Sequence, residues 1–375
     1  MRHFYRMLHG THNRWAILLY PFSLLYGVVV YMRNFLFDNQ IIKSKEFDIP
    51  IISVGNITVG GTGKTPHVEH LIRILKDKCT VAVLSRGYKR KTRHFILAGE
   101  HSTFTEIGDE PCQIKQKFPD ITVAVDRKRA HGIKELIKRN PETDVIILDD
   151  AFQHRYVKAG LSILLIDYNR PLSHDYLLPA GRLREQSFEK RRAHIILITK
   201  CPDRLKPIER RIIVKELNLY PFQHLFFTKI KDDEPKPVFQ SQRKSLNRND
   251  IKMMKPQILM IAGIAYPRSF KKFVRNYSTK ISEMIYPDHY EYKEKDINNI
   301  IASYHSMKGN EKIIFTTEKD AMRLQKFTGI DPEIKEKFYF IPISVSFLNE
   351  DTDNFNKQII NYVRDNKRDS ILYKK

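Results

Sequence analysis

Short apolar runs alternate with polar stretches along most of the chain. Between residues 49 and 199, runs rich in Ile, Val and Leu recur, and the stretches between them have a helix-compatible composition. These runs lie at residues 49–54, 80–85, 121–126, 145–149, 162–167 and 194–199. Strands that are apolar along their whole length and alternate with helices are typical of parallel sheets. The pattern therefore predicts an α/β fold in which helices cover both faces of a mostly parallel sheet.

This alternation breaks once and then resumes. The stretch at 231–256 contains KDDEPKP and stays polar, which predicts a linker or a small hairpin. Further apolar runs at 258–262, 280–285, 312–317 and 338–343 predict a second, smaller α/β domain. The predicted organisation is an N-terminal segment at 1–45, a first α/β domain at 46–230, the linker at 231–256, the second domain at 257–349 and a polar basic segment at 350–375.

The N-terminal segment contains an uncharged run, WAILLYPFSLLYGVVVYM, at residues 15–32 between Arg14 and Arg33. Eighteen helical residues cover ~27 Å, which barely matches a hydrocarbon core of ~30 Å. Pro21 and Gly27 interrupt the run, aromatic residues are spread along it, and basic residues flank both of its ends. These features favour a helix lying in the membrane interface over one that spans it. A buried core helix remains the alternative.

Composition narrows the class of protein. The 375 residues include 65 Lys and Arg against 43 Asp and Glu, a net charge of +22, and 42% of the chain is hydrophobic. This apolar content excludes a disordered or collagen-like chain. Cys79, Cys112 and Cys201 form no C-x-x-C pair, which excludes a disulfide framework and a cysteine zinc site. The positive charge favours a polyanionic partner: nucleic acid, an anionic membrane or a phosphorylated substrate.

The sharpest motif is GNITVGGTGKTP at residues 55–66, between a predicted strand and a predicted helix. In a phosphate loop, glycines let main-chain N–H groups face a phosphate, a lysine contacts the β and γ oxygens, and a Thr hydroxyl contacts Mg²⁺. The position that is usually the first glycine is a threonine here. We assign to nucleotide binding Thr58, Val59, Gly60, Gly61, Thr62, Gly63, Lys64 and Thr65. This context predicts a P-loop NTPase-like first domain.

A second motif supplies the acids that such a loop needs. Four apolar residues at 145–148 lead directly into Asp149 and Asp150. A strand that ends in a carboxylate next to a phosphate loop is typical of a Walker B element. We predict that Thr65, Asp149 and Asp150 hold Mg²⁺.

Several classes of NTPase remain open on these motifs. A GTPase requires Asp three positions after the Asn or Thr of its guanine motif, but Asp203 comes one residue late after Thr199. A nucleic-acid-dependent ATPase would fit the charge, although no RNA-binding signature is visible. A membrane scaffold with a degenerate nucleotide site is a third alternative. A small-molecule or lipid kinase needs a base for the acceptor hydroxyl, for which Asp109 and His289 are candidates.

The ordered motifs together resemble the lipid A 4′-kinases, which are tetraacyldisaccharide 4′-kinases of Gram-negative bacteria. LDDAFQHR and LLPAGRLRE are not general P-loop features, and the blocks follow one another from about residue 15 to 345. The matching stretches are SVGNITVGGTGKTP (53–66), LSRGYKRK (84–91), GDEP (108–111), AVDRKR (124–129), LDDAFQHR (148–155), DYNRPL (167–172), LLPAGRLRE (177–185), ITKCP (198–202), AGIAYPRSF (262–270), YPDHY (286–290) and TTEKDAMRL (316–324).

The resemblance implies transfer of the ATP γ-phosphate to the 4′-hydroxyl of a tetraacylated glucosamine disaccharide 1-phosphate, which forms lipid IV-A. It also implies that Asp109 is the catalytic base and that His289, reaching across from the second domain, tunes it. Lys64 would neutralise the transferring phosphate, while Asp149 and Asp150 organise Mg²⁺.

The resemblance carries further implications for binding and location. Tyr88, Arg127 and Arg129 are implied ligands of the substrate phosphate, and Arg182 and Arg184 would lie near a membrane-facing pocket. The implied partners are the lipid disaccharide and the inner-membrane surface, with no nucleic acid and no obligate protein partner. We therefore expect a peripheral or monotopic protein on the cytoplasmic face of the inner membrane.

Overall fold

The computed structural model describes residues 14–239 and 246–367, which divide into two compact units. The first unit contains the chain up to Ile230 and the chain from Val345 onward, and the second unit is Lys231–Ser344. The second unit is therefore inserted between two parts of the first.

The first unit begins with a long helix and continues as alternating strands and helices. In chain order its elements are α1 (Arg14–Asp38), β1 (Ile51–Gly55), α2 (Lys64–Leu75), β2 (Val81–Ser85), β3 (Ile96–Leu97), α3 (Phe104–Ile107), α4 (Asp109–Lys117), β4 (Thr122–Val125), α5 (Arg129–Arg139), β5 (Val145–Asp149), β6 (Leu161–Asp167), β7 (Ile195–Thr199), α6 (Pro207–Leu217) and β8 (His224–Asp232).

The chain then forms the second unit and returns to the first. The second unit contains β9 (Lys236–Pro237), α7 (Arg248–Met254), β10 (Gln257–Ala262), α8 (Pro267–Val274), β11 (Ile281–Ile285), α9 (Glu294–Ser306), β12 (Lys312–Thr317), α10 (Glu318–Leu324), α11 (Pro332–Lys335) and β13 (Phe338–Ile341). The returning elements are β14 (Ile343–Phe347) and α12 (Thr352–Asp365).

The sheet of the first unit has the order β14-β8-β7-β6-β1-β5-β2-β4-β3. From β8 to β4 each strand is parallel to its neighbours, and β3 pairs antiparallel at the edge. Ile52 and Val54 of β1 belong to the core beneath α2, whereas Ile51 packs in the core that contains α5. Because helices cover both faces, the strands are apolar along their whole length. The predicted α/β fold is confirmed.

The sheet of the second unit is smaller, with the order β11-β10-β12-β13-β9. Its first four strands are parallel, and β9 pairs antiparallel with β13. The predicted linker at 231–256 contributes β9 and α7 to this unit, so the unit begins earlier than predicted. It also ends earlier, at Ser344, and not at residue 349.

The segment that we predicted as a polar basic C-terminus contains α12, which packs in the core of the first unit. Its buried residues Phe355, Ile359 and Val363 recur every four positions and lie on one face of the helix. The polar and charged residues between these positions made the segment look polar in composition.

Helix α1 covers the predicted interfacial run and continues to Asp38. Its buried positions include Ser23, Val30, Asn34 and Phe37, whereas large apolar side chains are exposed around the rest of the helix. The exposed residues are Leu18, Leu19, Tyr20, Phe22, Leu24, Leu25, Val28, Val29, Tyr31, Met32 and Phe35. The helix is therefore not a buried core helix. Within the described residues, no helix is long and apolar enough to cross a bilayer.

Candidate active site

The carboxyl ends of the parallel strands bring the motifs of the first unit to one edge of the sheet. Residues aligned across neighbouring strands include Val54 with Asp149, Leu84 with Leu148, and Ser85 with Val125. The loop after β1 is therefore next to the loop after β5, which in turn is next to the loop after β2. Such an edge is where ligands bind in open parallel sheets.

The glycine-rich loop, residues 55–63, connects β1 to the first turn of α2. Gly60 and Gly63 have φ angles of 100° and 88°, which side chains with a Cβ rarely adopt. The N–H of Val59 donates to Arg182 O, but the N–H groups of residues 60–63 donate to no residue that the structure describes. These amides are available to an anion at the helix N-terminus, where the helix dipole also attracts one.

Lys64 lies beside the acids predicted to hold the metal. Its Nζ is 3.4 Å from Asp150 Oδ1 and 3.3 Å from Asn56 Oδ1. Asn56 in turn donates through Nδ2 to Thr62 Oγ1 at 2.9 Å. The ammonium group is thus held over the loop in a position from which it can contact a bound phosphate.

The two acids at the end of β5 have different surroundings. Asp149 is buried and accepts a hydrogen bond from Ser85 Oγ at 3.1 Å. Burial and the charges of Asp150 and Glu110 raise the pKa of Asp149 to about 6. Burial also acts to raise the pKa of Asp150, but the charges of Lys64 and Arg184 outweigh it and lower that pKa. Asp149 therefore experiences negative charge that its positive neighbours do not fully balance.

This donor set fits Mg²⁺, which prefers oxygen ligands and keeps several waters or phosphate oxygens. Of the residues predicted to hold the ion, Thr65 has a hydroxyl and Asp149 and Asp150 have carboxylates. Among the described residues, no group of three or more His, Cys, Asp or Glu side chains could hold a metal ion without other ligands. A site that shares its ion with a nucleotide agrees with this arrangement.

Asp109 begins α4, where the helix dipole stabilises its negative charge. It follows Gly108, whose φ is 92° and where a Cβ would lie only 3.0 Å from Tyr88 O. This close approach fixes the start of α4 against the loop after β2, on the same edge as Asp149. Glu110 is close enough to raise the pKa of Asp149. We did not single out Glu110 or Ser85 from the sequence, although both lie within matched motifs.

The implied ligands of the substrate phosphate differ in accessibility. Tyr88 and Arg127 are exposed, whereas Arg129 is 2% exposed. The Arg129 guanidinium donates to Asp126 O at 2.8 Å and to Asp149 O at 2.9 Å. In this conformation Arg129 is enclosed and fixes the end of β5, so the structure does not place it where a ligand could reach it.

Arg182 and Arg184 belong to the 175–185 segment, which contacts the glycine-rich loop on one side and α1 on the other. Thr58 forms an antiparallel bridge with Leu183, and Arg184 Nη1 is 3.4 Å from Asp150 Oδ1. On its other side, Tyr26 of α1 donates to Arg184 O at 2.9 Å. Arg182 itself is exposed.

His289 belongs to the second unit and follows β11. Its backbone has a φ of 60°, and its N–H donates to Gly263 O at 3.1 Å. Arg323 Nη2 lies 3.3 Å from His289 Nδ1, and Arg323 pairs with the fully buried Asp320 at 3.5 Å. The approach of His289 to Asp109 in the first unit stays a prediction.

Comparisons with known proteins identify the family of this chain. The family model described as tetraacyldisaccharide-1-P 4′-kinase matches residues 15–364. The chain belongs to this family. A tetraacyldisaccharide 4′-kinase from Bacteroides thetaiotaomicron is 47% identical over 94% of each chain. The enzyme of that name from Phocaeicola vulgatus is 47% identical over 96% of this chain and 97% of its own length. The resemblance found in the motifs is confirmed.

A crystal structure of a member of the tetraacyldisaccharide-1-P 4′-kinase family shows the same architecture. It is LpxK from Aquifex aeolicus in complex with ATP, and it is 29% identical to this chain. The two structures superpose with a TM-score of 0.71, and the match covers 93% of this chain and 99% of the other.

Proposed function

We propose that this protein is a lipid kinase that transfers the γ-phosphate of ATP to the 4′-hydroxyl of tetraacyldisaccharide 1-phosphate. The product is lipid IV-A, the tetraacyldisaccharide 1,4′-bisphosphate. Family membership over almost the whole chain carries the proposal. The unpaired amides of the glycine-rich loop and the 3.4 Å contact between Lys64 and Asp150 support it, because phosphoryl transfer needs a phosphate cradle beside a lysine and a metal-binding acid.

The nucleotide binds through its phosphates to the glycine-rich loop, in the manner of a P-loop NTPase. The amides of residues 60–63 and the ammonium group of Lys64 surround the β- and γ-phosphates. Lys64 is drawn toward Asp150 at 3.4 Å before ATP binds, and the phosphate then competes for the same charge. As the γ-phosphate transfers, Lys64 balances the charge that develops on its oxygens.

Thr65, Asp149 and Asp150 would hold Mg²⁺ together with the nucleotide, and the ion would supply charge neutralisation to the phosphates. Ser85 and Arg129 orient this set, since Ser85 bonds the Asp149 carboxylate and Arg129 bonds its main-chain carbonyl.

Asp109 accepts the proton of the 4′-hydroxyl as the new P–O bond forms. It is half-buried on the same edge of the sheet as the phosphate loop, and its charge is stabilised at the start of α4. His289 is the second catalytic residue of the proposal, as the family resemblance implies. Tyr88, Arg127 and Arg182 bind the anionic part of the lipid, together with Arg184.

The lipid acceptor stays in the membrane, and α1 docks there. Removing acyl chains from a bilayer costs ~0.8 kcal/mol per CH₂, so the enzyme must reach the acceptor at the surface. The exposed apolar side chains of α1 suit this docking, and the net charge of +22 suits an anionic leaflet. We place the protein on the cytoplasmic face of the inner membrane as a peripheral or monotopic enzyme.

A mixed-micelle assay with labelled ATP and disaccharide 1-phosphate lipid tests the function. We expect the wild type to phosphorylate the lipid, and Asp109→Asn to reduce kcat by about 10²–10⁴-fold while ATP still binds. Asp120→Asn, an exposed aspartate beyond α4, is the matched control and should retain activity. If the wild type transfers no label to the lipid, or transfers it equally well with Asn at position 109, the assignment or the role of Asp109 is wrong.

A further inference from the structure

Two basic side chains hold the glycine-rich loop from the side opposite its free amides. Arg170, which follows β6, donates from Nη1 to Val59 O and from Nη2 to Gly61 O, each at 3.3 Å. Lys200, which follows β7, also donates from Nζ to Gly61 O. Cations therefore bind carbonyl oxygens of a loop whose expected ligand is an anion.

A hydroxyl group binds the carbonyl oxygen of the next residue of the loop. Thr199, the last residue of β7, is fully buried and donates from Oγ1 to Thr62 O at 2.8 Å. The N–H and C=O of a trans peptide point in opposite directions. Fixing the carbonyls of residues 59, 61 and 62 therefore turns the N–H groups of residues 60, 62 and 63 the other way.

One buried carboxylate holds the two cations together. Asp167 is 4% exposed, and its Oδ2 lies 2.7 Å from Arg170 Nη2 and 2.9 Å from Lys200 Nζ. Burial acts to raise the pKa of Asp167, but Lys200 and Arg170 outweigh it and lower that pKa. Without this carboxylate, two neighbouring positive charges would repel each other beneath the loop.

The backbone at Lys200 is also unusual. Its φ is 56°, in the left-handed region that a lysine rarely occupies, and such conformations concentrate at functional sites. Lys200 lies in the Thr199–Lys200 pair that resembles a guanine motif without the correctly spaced Asp. The structure gives this lysine another contact, the main chain of the glycine-rich loop.

We propose that Arg170 and Lys200, held together by Asp167, and Thr199 are positioning residues that preorganise the glycine-rich loop for nucleotide phosphates. They act through main-chain carbonyls and do not touch the reacting atoms. The loop amides face the phosphate site before ATP arrives, so binding does not have to order them. The inference rests on the proposed function only in that ATP binds at this loop.

Calorimetric titration with Mg²⁺ and ATP, without lipid, tests the inference on the full-length protein. For Arg170→Met and Lys200→Met we expect the Kd for ATP to rise at least about tenfold, which corresponds to ~1.4 kcal/mol. In the lipid kinase assay the KM for ATP should rise in parallel, while the KM for the lipid stays at the wild-type value. Thr199→Val removes a single hydroxyl and should give a smaller change in the same direction.

Lys229→Met is the matched control. Lys229 is as exposed as Lys200, at 28%, but its Nζ pairs with Asp203 at 2.9 Å and not with the loop. We expect wild-type ATP affinity from this variant. Circular dichroism melting shows whether each variant folds, and Arg170→Lys, which retains the charge beside Asp167, should recover part of the affinity.

Two results would overturn the inference. One is wild-type ATP affinity in both methionine variants and in Thr199→Val. The other is an equal rise in the KM for lipid and for ATP with a lowered melting temperature, which indicates general loss of structure. If the wild type itself binds no ATP, the proposed function fails, and this outcome is distinct from both.

Discussion

At the scale of single residues, His289 combines a left-handed backbone with a ring nitrogen that is already occupied. A guanidinium group only donates hydrogen bonds, so the contact between Arg323 Nη2 and His289 Nδ1 makes Nδ1 the acceptor. The neutral imidazole therefore carries its proton on Nε2. Asp320 fixes the guanidinium, and is itself bound by the N–H of Gly263 at 2.9 Å and by Thr317 Oγ1 at 2.6 Å.

This geometry predicts the tautomer of His289. Nitrogen-15 NMR of the neutral ring should show Nε2 protonated and Nδ1 unprotonated, and comparison with His289→Gln assigns the signals. In Arg323→Gln we expect a mixture of tautomers, because the donor to Nδ1 is weaker. Protonation of Nδ1 in the neutral wild-type ring would contradict this prediction.

Residue type and spacing predicted some site residues better than others. Lys64, Asp149 and Asp150 lie together because they end or begin elements next to one another in a parallel sheet. The sequence did not reveal that Arg129 is buried, since an arginine two positions from an exposed arginine gives no sign of which carbonyls surround it. The contacts of Arg170 and Lys200 with the glycine-rich loop were not predicted for a related reason: their partners are main-chain atoms distant in sequence.

At the scale of elements, α1 has two faces with separate roles. Its exposed face is apolar, whereas its buried face makes polar contacts with the 175–185 segment. Ser23 is 3% exposed, its Oγ donates to Leu177 O, and it accepts from the N–H of Ala180, both at 2.9 Å. Gly27 lies so close to the same segment that a Cβ would be 2.9 Å from Leu177 Cδ1.

Substitutions on the two faces should separate stability from membrane binding. Ser23→Ala leaves the N–H of Ala180 without its partner and Leu177 O with the N–H of Gly181 as its remaining donor, so we expect the free energy of unfolding to fall by about 1–3 kcal/mol in urea titrations. Leu25→Ser, at a position that is 66% exposed, should leave that free energy unchanged. It should instead weaken cosedimentation with vesicles of phosphatidylethanolamine and phosphatidylglycerol. Equal effects of the two variants on both measurements would disprove the division of roles.

Prediction of whole elements succeeded where strands are buried on both faces. The six apolar runs of the first domain correspond to β1, β2, β4, β5, β6 and β7. The sequence pattern did not assign β14 or α12 to the first unit, because their positions depend on contacts across the long insertion. A local pattern carries no information about where the chain returns.

At the scale of the whole molecule, histidine burial links stability to pH. His70 of α2 lies 3.1 Å through Nε2 from Asn356 Oδ1 of α12, and its ring packs beside Phe347 and Phe355. Burial lowers the pKa of His70 below its usual 6.5, although the Asn356 contact opposes this. The unfolded chain therefore takes up the proton first as the pH falls.

We expect the contribution of His70 to be complete above pH 6.5 and to be lost as the pH falls below that value. Urea unfolding at pH 7.5, 6.5 and 5.5 measures the slope, to which one proton contributes at most about 1.4 kcal/mol per pH unit. His70→Gln should flatten the slope, and replacement of the exposed His94 by Gln should not. An unchanged slope in His70→Gln would show that α12 is not the site of this dependence.

The return of the chain to the first unit also predicts the order in which the two units fold during translation. Strand β14 is the neighbour of β8 in the sheet, and α12 shares a core with α2, yet the whole second unit is translated between them. During translation, the core of the first unit therefore stays partly exposed until residues 352–365 emerge from the ribosome. The second unit contains all strands of its own sheet and can fold first. A nascent chain stalled after residue 344 has left the ribosome, but before residues 352–365 have, should therefore contain a folded insertion within an unfinished first unit, whose core β14 and α12 then complete.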